Sequence, residues 1–200
     1  QEETIRRFAL AIEMRNRETG DHVERVGSIC ALLAEQLGWD DDEVEELRLA
    51  SILHDVGKIA IPDRLLLKPG ALTPEERWQM EQHTTIGYRV LSGSPSSLLT
   101  LAAEIALHHH ERVDGQGYPD GLVGDQISIE ARIVSVVDVF DALTTDRPYR
   151  RAYGVEKALE VMQEECGTQF DPLVFAAFKS VLPTMVDMWH NGRFAWREAV

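Results

Sequence analysis

The sequence predicts an all-α protein, a bundle of about seven or eight helices. Apolar residues recur at spacings of three and four along most of the chain, as they do on the buried face of a helix. Capping residues, glycines and prolines stand at the edges of these stretches. The nearly unbroken apolar run at 133–140 has no second strand candidate to pair with, which favours a buried helix over a strand.

The first half of the chain contains four predicted helices. Asp40 precedes an acidic turn that complements the positive end of a helix dipole, and Thr73-Pro74 is followed by the glutamate of a capping box. The third helix places His54 and Asp55 in its last turn, before Gly57. The predicted ranges are about 5–12, 21–37, 40–55 and 73–91.

Four further helices are predicted at about 98–110, 129–144, 155–166 and 173–182. Ser128 caps the second of them, and Asp171-Pro172 opens the last. Between the first two lies a loop, 111–124, with four glycines and a proline. Loops of this length inside compact domains are usually functional or disordered. We expect one domain over 1–184 and a less regular tail over 185–200.

Composition excludes several classes of protein. The net charge of -14 over 200 residues argues against a protein that coats a nucleic acid polymer. Cys30 and Cys166 lie far apart, which disfavours a disulfide framework or a zinc ribbon, and both are expected to be buried. No apolar run reaches the roughly 20 residues of a membrane span. We expect a soluble, cytoplasmic chain, and its start at Gln1 within a helix suggests a piece of a longer protein.

Histidines and carboxylates at helical positions predict a metal centre. Asp138 interrupts the most apolar helix, where an ionised carboxylate costs several kcal/mol unless a cation compensates. Imidazole and carboxylate without thiolate favour iron or manganese, and this many ligands implies two or three divalent ions. Paired ions suit phosphoester hydrolysis. The candidate ligands are Glu18, His22, His54, Asp55, His83, His109, His110 and Asp138.

Simpler interpretations compete with this one. Taken singly, His22 or His83 is more often a surface or core histidine than a ligand, and His108 is the member of the histidine triplet expected to point away. The acidic run 40–46 lacks the glycine of a calcium loop. Gly115-x-Gly117 fails the dinucleotide fingerprint, and the His-Glu-x-x-His motif of zinc proteases is absent.

Three segments together resemble the HD-GYP domains, a branch of the HD phosphohydrolases. They are His54-Asp55-Val56-Gly57-Lys58, the segment 109–119 that ends in Gly117-Tyr118-Pro119, and the segment 138–150. The resemblance extends from about Thr4 to Leu182. It implies an HD-domain-like all-α fold and hydrolysis of the bacterial second messenger cyclic di-GMP to linear pGpG or to GMP.

The resemblance also implies roles for the candidate ligands. It makes Asp55 the bridge between two ions, and Glu18 and His22 the extra ligands of members that bind a third metal. Glu18 therefore favours a trinuclear site. The ligands common to the family pattern are His54, Asp55, His83, His109, His110 and Asp138.

Cationic side chains are implied to hold the substrate. Lys58 resembles the lysine that contacts the scissile phosphate, and Arg147 and Arg150 resemble a clamp on the diester. Clustered arginines in an otherwise acidic chain fit such a clamp, although a solvated surface turn explains them too. Val113 and Gln169 depart from the family pattern, and neither is a proposed ligand.

Two other functions stay open at this point. The same fold can hydrolyse another cyclic dinucleotide, such as cyclic GMP-AMP. A non-catalytic sensor or docking module is the third reading, with the Gly117-Tyr118-Pro119 loop binding a partner such as a diguanylate cyclase. The apolar stripe of the first helix is also expected to support a homodimer.

Overall fold

The computed structural model describes residues 2–16, 21–146 and 151–190, and these contain nine α-helices and no β-strand. The all-α prediction is confirmed. The count exceeds the prediction because a single-turn helix, α4, was not recognised in the sequence. The helices are α1 (Glu2–Glu13), α2 (Asp21–Gln36), α3 (Asp41–Ser51), α4 (Asp63–Leu66), α5 (Pro74–Leu91), α6 (Ser97–His108), α7 (Ile129–Thr144), α8 (Val155–Glu164) and α9 (Pro172–His190).

The helix α7 lies at the centre of the bundle. It packs against α2, α6, α8 and α9. Its side chains Val134, Val137 and Phe140 are fully buried. Both of its predicted ends are confirmed, and the Ser128 hydroxyl accepts a hydrogen bond from the Ala131 amide at the start of the helix.

Side-chain caps also mark the starts of α3 and α5. The Asp40 side chain accepts a hydrogen bond from the Glu43 amide at 2.9 Å, and the Glu43 carboxylate accepts one from the Asp40 amide at 3.1 Å. Thr73 and Glu76 form the same reciprocal box at the start of α5. These bonds satisfy amides that have no partner inside the helix, so short sequence motifs sufficed to predict both starts.

The structure differs from the prediction at the end of α3. The α-helix ends at Ser51, and His54 and Asp55 lie in the turn that precedes a short 3-10 segment, Val56–Ala60. The amide of His54 donates to the carbonyl of Ser51, three residues back, at 3.2 Å. Such bonds tighten the chain here, which turns the two side chains inward from a bend and not from a helix face.

The last helix also extends beyond its prediction. α9 continues through Pro183 to His190, where the sequence predicted a less regular tail. A proline inside a helix costs about 3 kcal/mol. Phe178, which precedes the proline, and Met185, which follows it, are nevertheless both fully buried in the core. Burial of apolar side chains on both sides of Pro183 therefore offsets the local cost.

Neither described cysteine is part of a disulfide. Cys30 is buried as expected, and burial raises its pKa to about 12, whereas Cys166 is only partly buried. Within the described ranges no helix has the combination of length and apolar character that crossing a membrane requires.

The 3-10 segment Val56–Ala60 lies in direct contact with α5. A Cβ atom on Gly57 would lie 1.8 Å from the carbonyl oxygen of His83 and 2.5 Å from the amide nitrogen of Gly87. Only glycine permits so close an approach of two backbones. The approach brings Asp55, at the start of this turn, within reach of His83.

Replacing Gly57 with alanine is expected to lower the free energy of unfolding by about 1–3 kcal/mol, because the added methyl group forces the turn away from α5. Urea denaturation followed by circular dichroism measures this change. Gly154→Ala is the matched control, since a Cβ there meets nothing within 4 Å. Equal losses in the two variants would contradict the steric explanation.

Candidate metal centre

The described side chains that the sequence predicts as metal ligands converge on one interior site. They come from α2, the turn after α3, α5, the end of α6 and α7. Glu18, Arg147 and Arg150 lie outside the described residues. Donor atoms lie within 4.8 Å of one another in three groups, which are Asp55, His83, His109 and His110; His22, His54 and Asp138; and Glu13, His22 and Asp55.

Asp55 lies between two sets of histidines. Its Oδ1 atom is 3.4 Å from Nε2 of His83 and 3.8 Å from Nε2 of His109. Its Oδ2 atom is 3.4 Å from Nε2 of His54. Atoms that share one ion at about 2.1 Å lie about 3–3.5 Å apart, so each oxygen of Asp55 faces a different potential ion position.

The inward-facing histidines are oriented by their outer ring nitrogens. In three of them Nδ1 donates a hydrogen bond to a backbone carbonyl of the preceding turn. These pairs are His54 to Ser51 at 2.7 Å, His83 to Met80 at 2.8 Å and His109 to Ile105 at 3.0 Å. A ring that donates from Nδ1 presents the lone pair of Nε2 to the site, which is the arrangement found in metal-bound histidines.

A buried carboxylate does the same for His22. Nδ1 of His22 lies 2.7 Å from Oδ2 of Asp141, and the guanidinium of Arg25 donates to both oxygens of that carboxylate. The side chains of all three residues are at most 5% exposed. Sequence analysis missed Asp141 and Arg25, because their contact joins α2 to α7 across more than a hundred positions and no local spacing indicates it.

Electrostatics hold Asp55 ionised. Burial by itself would raise its pKa, but the Lys58 ammonium and the imidazoles of His54 and His83 outweigh burial and hold the pKa well below its usual value. Lys58 contacts Oδ2 of Asp55 directly. An ionised carboxylate at the centre of the site is a strong ligand for a cation.

The histidines divide into two electrostatic classes. Burial lowers the pKa of His83, and it lowers the pKa values of His109 and His110 much further, with neighbouring imidazoles adding to the effect. These rings are therefore neutral at pH 7, the form that binds metal. Burial would also lower the pKa of His54, but Asp55 and then Asp138 raise it. The negative charge of Asp55 and Asp138, which favours a proton on His54, would equally favour a metal ion bound at its Nε2 atom.

Facing lone pairs show that the donor set fits cations. Nε2 of His83 and Nε2 of His109 are 3.5 Å apart, although both rings donate from Nδ1. Nε2 of His54 and Oδ1 of Asp55 are buried and accept no hydrogen bond within the described part of the chain. Converging acceptors without donors are unfavourable in a buried site, and a divalent ion between them removes the conflict.

Asp138 is less buried than its apolar neighbours in the sequence indicated. Its side chain is 17% exposed, and Oδ1 lies 3.8 Å from Nε2 of His54. The carboxylate faces the histidines and not the surrounding valines. Its position in the site is as predicted, whereas the burial cost argued from its apolar neighbours is smaller than expected.

Comparison with known proteins is consistent with this geometry. Residues 8–174 match the family model described as HD domain. The chain belongs to the HD-domain family. Its three motif segments place it in the HD-GYP branch, as its relatives indicate.

Curated relatives of this HD domain are bacterial phosphodiesterases. It is 51% identical over 172 residues to the cyclic di-GMP phosphodiesterase response regulator RpfG of Xanthomonas campestris, covering 86% of this chain and 46% of that protein. It is 48% identical to a cyclic di-GMP phosphodiesterase of Thermotoga maritima, covering 90% of this chain and 49% of the relative. A 3'3'-cGAMP-specific phosphodiesterase 2 of Vibrio cholerae is 44% identical, with 85% and 33% covered. The chain thus spans about half the length of the first two relatives or less.

A solved structure shares the fold. The crystal structure of a cyclic GMP-AMP specific phosphodiesterase from Vibrio cholerae, V-cGAP3, superposes with a TM-score of 0.68 at 20% identity, covering 91% of this chain and 48% of that one. At this identity the similarity establishes the HD-domain fold alone.

The Gly-Tyr-Pro loop of the HD domain is organised by Glu111, a buried residue with no role in the sequence prediction. Its carboxylate accepts hydrogen bonds from the amides of Asp120 at 2.7 Å, Gly121 at 3.1 Å and Leu122 at 3.0 Å. The ring of Tyr118 stacks on His110, with centroids 4.9 Å apart. The loop therefore forms one wall of the metal centre.

Val113 and Gln169, the two residues that depart from the HD-GYP pattern, contact each other at this loop. The amide of Val113 donates to the carbonyl of Gln169, and Arg112 donates to the Gln169 side chain at 3.1 Å. Gln169 thus attaches the turn before α9 to the loop. His108 lies outside the site, between Glu104 and Asp120 at 3.2 Å from each, as the sequence predicted.

Arg15 is a further residue of this HD domain that sequence analysis missed. Its guanidinium donates to the carbonyl oxygens of Lys58 at 3.2 Å and Ile61 at 2.9 Å, and to Oδ1 of Asp63 at 2.6 Å. It also contacts the carbonyl of Ile59. Arg15 thereby ties the segment that contains Lys58 to the end of α1.

Proposed function

We propose that this chain is a metal-dependent phosphodiesterase that hydrolyses cyclic di-GMP to linear pGpG, GMP or both. The observation that carries the proposal is Asp55, an ionised carboxylate whose two oxygens face separate histidine sets. Relatives named as cyclic di-GMP phosphodiesterases at 48–51% identity support the substrate. The convergence of the described donors on one site argues against a non-catalytic sensor or docking module.

Two or three divalent ions, iron or manganese, are part of the proposal, with His83, His109 and His110 on one side of Asp55 and His22, His54 and Asp138 on the other. Such ions, when bound, lower the pKa of a water molecule and neutralise phosphoryl oxygens during in-line attack. Asp55 holds both sides of the site together. The neutral imidazoles add no positive charge, so the carboxylates set the charge that the ions must balance.

The proposed substrate contacts are made by Lys58 and by two arginines that lie outside the described residues. The ammonium of Lys58 is fixed at Asp55, so a phosphate bound at the ions meets it directly. We assign Lys58 to the scissile phosphate and Arg147 and Arg150 to the rest of the diester. The fixed backbone around Lys58, held by Arg15, preorganises this contact.

Protein loaded with iron(II) or manganese(II) is expected to hydrolyse cyclic di-GMP, and protein treated with a chelator is expected to lose that activity. Chromatography of the nucleotide products measures turnover and separates pGpG from GMP. Failure to turn over the substrate with either metal, when bound metal is verified by elemental analysis, would overturn the proposal.

Lys58→Ala is expected to lower kcat for cyclic di-GMP about 100-fold or more, because a fixed cation at the reacting phosphate is lost. Metal content should stay near the wild-type level, since an ammonium is not a ligand. Lys157→Ala on the surface of α8 is the control and should leave kcat unchanged. A large loss of metal in Lys58→Ala would mean that the lysine supports the centre and not the substrate.

A second substrate, cyclic GMP-AMP, is favoured by the relative from Vibrio cholerae that is named as specific for it. The two activities share the metal centre and differ in the contacts to one base. A competition assay with both cyclic dinucleotides at equal concentration gives the ratio of kcat/KM values. A ratio above about 10 in either direction decides between the candidates.

Interaction partners and location complete the proposal. We propose a cytoplasmic location, a diguanylate cyclase as partner of the Gly117-Tyr118-Pro119 loop, and a homodimer through α1. On α1, Ala9 and Ile12 are buried in the chain's own core, so less of the apolar stripe than expected is available to a second copy, and Phe8, 42% exposed, is one apolar side chain that remains available. A monomeric mass by light scattering over a wide concentration range would contradict the dimer.

A further inference from the structure

A glutamate that sequence analysis did not single out lies at the edge of the metal centre. Glu13 is the last residue of α1 and is 3% exposed. A carboxylate oxygen of Glu13, a ring nitrogen of His22 and a carboxylate oxygen of Asp55 all lie within 4.8 Å of one another. All three residues are buried. The carboxylate therefore faces the site from a helix that contributes none of the other ligands.

The position of Glu13 is fixed from both directions along the chain. Before it, Ala9 and Ile12 anchor α1 in the core. After it, Arg15 binds the carbonyl oxygen of Lys58 and the carboxylate of Asp63. Because Arg15 ties the end of α1 to the turn that carries Asp55, Glu13 is held beside that turn by contacts independent of its own carboxylate.

Charge and donor type both point to a cation at this place. Glu13 brings a further carboxylate into a buried region that already holds Asp55. Two buried carboxylates this close repel each other unless a cation or a proton intervenes. Nδ1 of His22 lies against Asp141, so the nitrogen that His22 presents here is Nε2, a metal-binding atom. Two oxygens and one imidazole nitrogen form a donor set that suits manganese(II) or iron(II).

We infer that Glu13 is a metal ligand that, with His22 and Asp55, holds a further divalent ion on the His22 side of the centre. This assignment deepens the proposed function and rests on its metal centre. It adds a second glutamate to the expectation that Glu18 supplies the extra carboxylate. It also gives α1 a direct part in the site, beyond its packing.

Metal binding tests the inference without reference to turnover. Metal-free wild-type protein, Glu13→Gln and Glu18→Gln are titrated with manganese(II) by calorimetry, and bound manganese is counted by elemental analysis after gel filtration. Glu13→Gln keeps the size of the side chain and removes the charge. We expect its bound metal to fall by about one ion per chain, or the weakest site to lose at least about 10-fold in affinity. Glu35→Gln, at an exposed position of α2, is the control and should match wild type.

The outcomes separate the two proposals. If Glu13→Gln binds manganese with the wild-type stoichiometry and affinity, Glu13 is not a ligand, whatever the activity of the enzyme. If wild type binds manganese but does not hydrolyse cyclic di-GMP, the proposed function fails and the comparison of metal counts still decides the role of Glu13. If wild type binds no manganese, both fail. Should Glu13→Gln not fold, Glu13→Met is the second variant, because it fills a similar volume without a carboxylate, and an unchanged metal count in that variant overturns the inference.

Discussion

Asp55→Asn is expected to lower kcat for cyclic di-GMP on the order of 1,000-fold or more and to leave the protein without its full metal content. The substitution preserves size and removes one charge. Because Oδ1 faces His83 and His109 while Oδ2 faces His54, a single residue serves both halves of the centre. Loss of its charge is therefore expected to lower the affinity for metal on both sides of Asp55.

An activity assay with saturating manganese(II) measures kcat for this variant, and elemental analysis measures its metal content. Asp42→Asn is the control, since Asp42 is an exposed residue in the first turn of α3. Far-UV circular dichroism should show the same helix content in both proteins. More than a tenth of wild-type activity in Asp55→Asn, at normal metal content, would show that Asp55 does not bridge.

Asp141→Ala is expected to lower the free energy of unfolding by about 3–5 kcal/mol, because it leaves the buried guanidinium of Arg25 without its carboxylate. Arg25 is 3% exposed and donates to both oxygens of Asp141. His22 loses its orienting partner in the same variant. Urea denaturation of the metal-free protein at pH 7 measures the change.

The effect of Asp141→Ala should depend on pH in a defined direction. Burial alone would raise the pKa of Asp141, but hydrogen bonds from His22 and Arg25 outweigh it and hold the pKa well below its usual value. A carboxyl group whose pKa is lower in the folded state stabilises the protein above the unfolded pKa of about 3.9, and loses that contribution as the pH falls through the folded pKa. The difference between wild type and variant is therefore full at pH 7 and shrinks below about pH 4.

Asp125→Ala provides the comparison for Asp141→Ala. Asp125 also pairs with an arginine, Arg132, at 3.1 Å, but its side chain is 99% exposed. An exposed pair contributes about 0–1 kcal/mol, and Arg132 keeps its second partner, Asp171. Losses of similar size in the two variants would contradict the assignment of Asp141 as a buried structural anion that orients His22.

Helix positions were predictable wherever short-range chemistry marks an end. The capping residues Asp40, Thr73 and Ser128 form the predicted bonds with amides three residues later. The end of α3 and the passage of α9 through Pro183 were not predictable in this way. Both depend on packing against distant segments, which outweighs local preference by a few kcal/mol.

The candidate ligands could be named from residue type, because imidazoles and carboxylates on apolar helix faces need a compensating partner. The residues that support them were not. His22 and Asp141 are 119 positions apart, and Arg15 and Asp63 are 48 apart. Glu111 lies within a motif segment and Glu13 outside all three, but the sequence indicates no role for either, and their burial beside the loop and the centre is seen only in the structure.

The sequence by itself determined the all-α architecture, the family and the set of side chains able to bind divalent ions, because each follows from local periodicity, caps or contiguous motifs. Tertiary structure alone decided which nitrogen each histidine presents, which oxygen of Asp55 faces which group, and that Glu13 joins the site. The reason is physical. Ring orientation and carboxylate placement are set by hydrogen bonds between residues far apart in the chain, and those bonds exist only once the helices have packed.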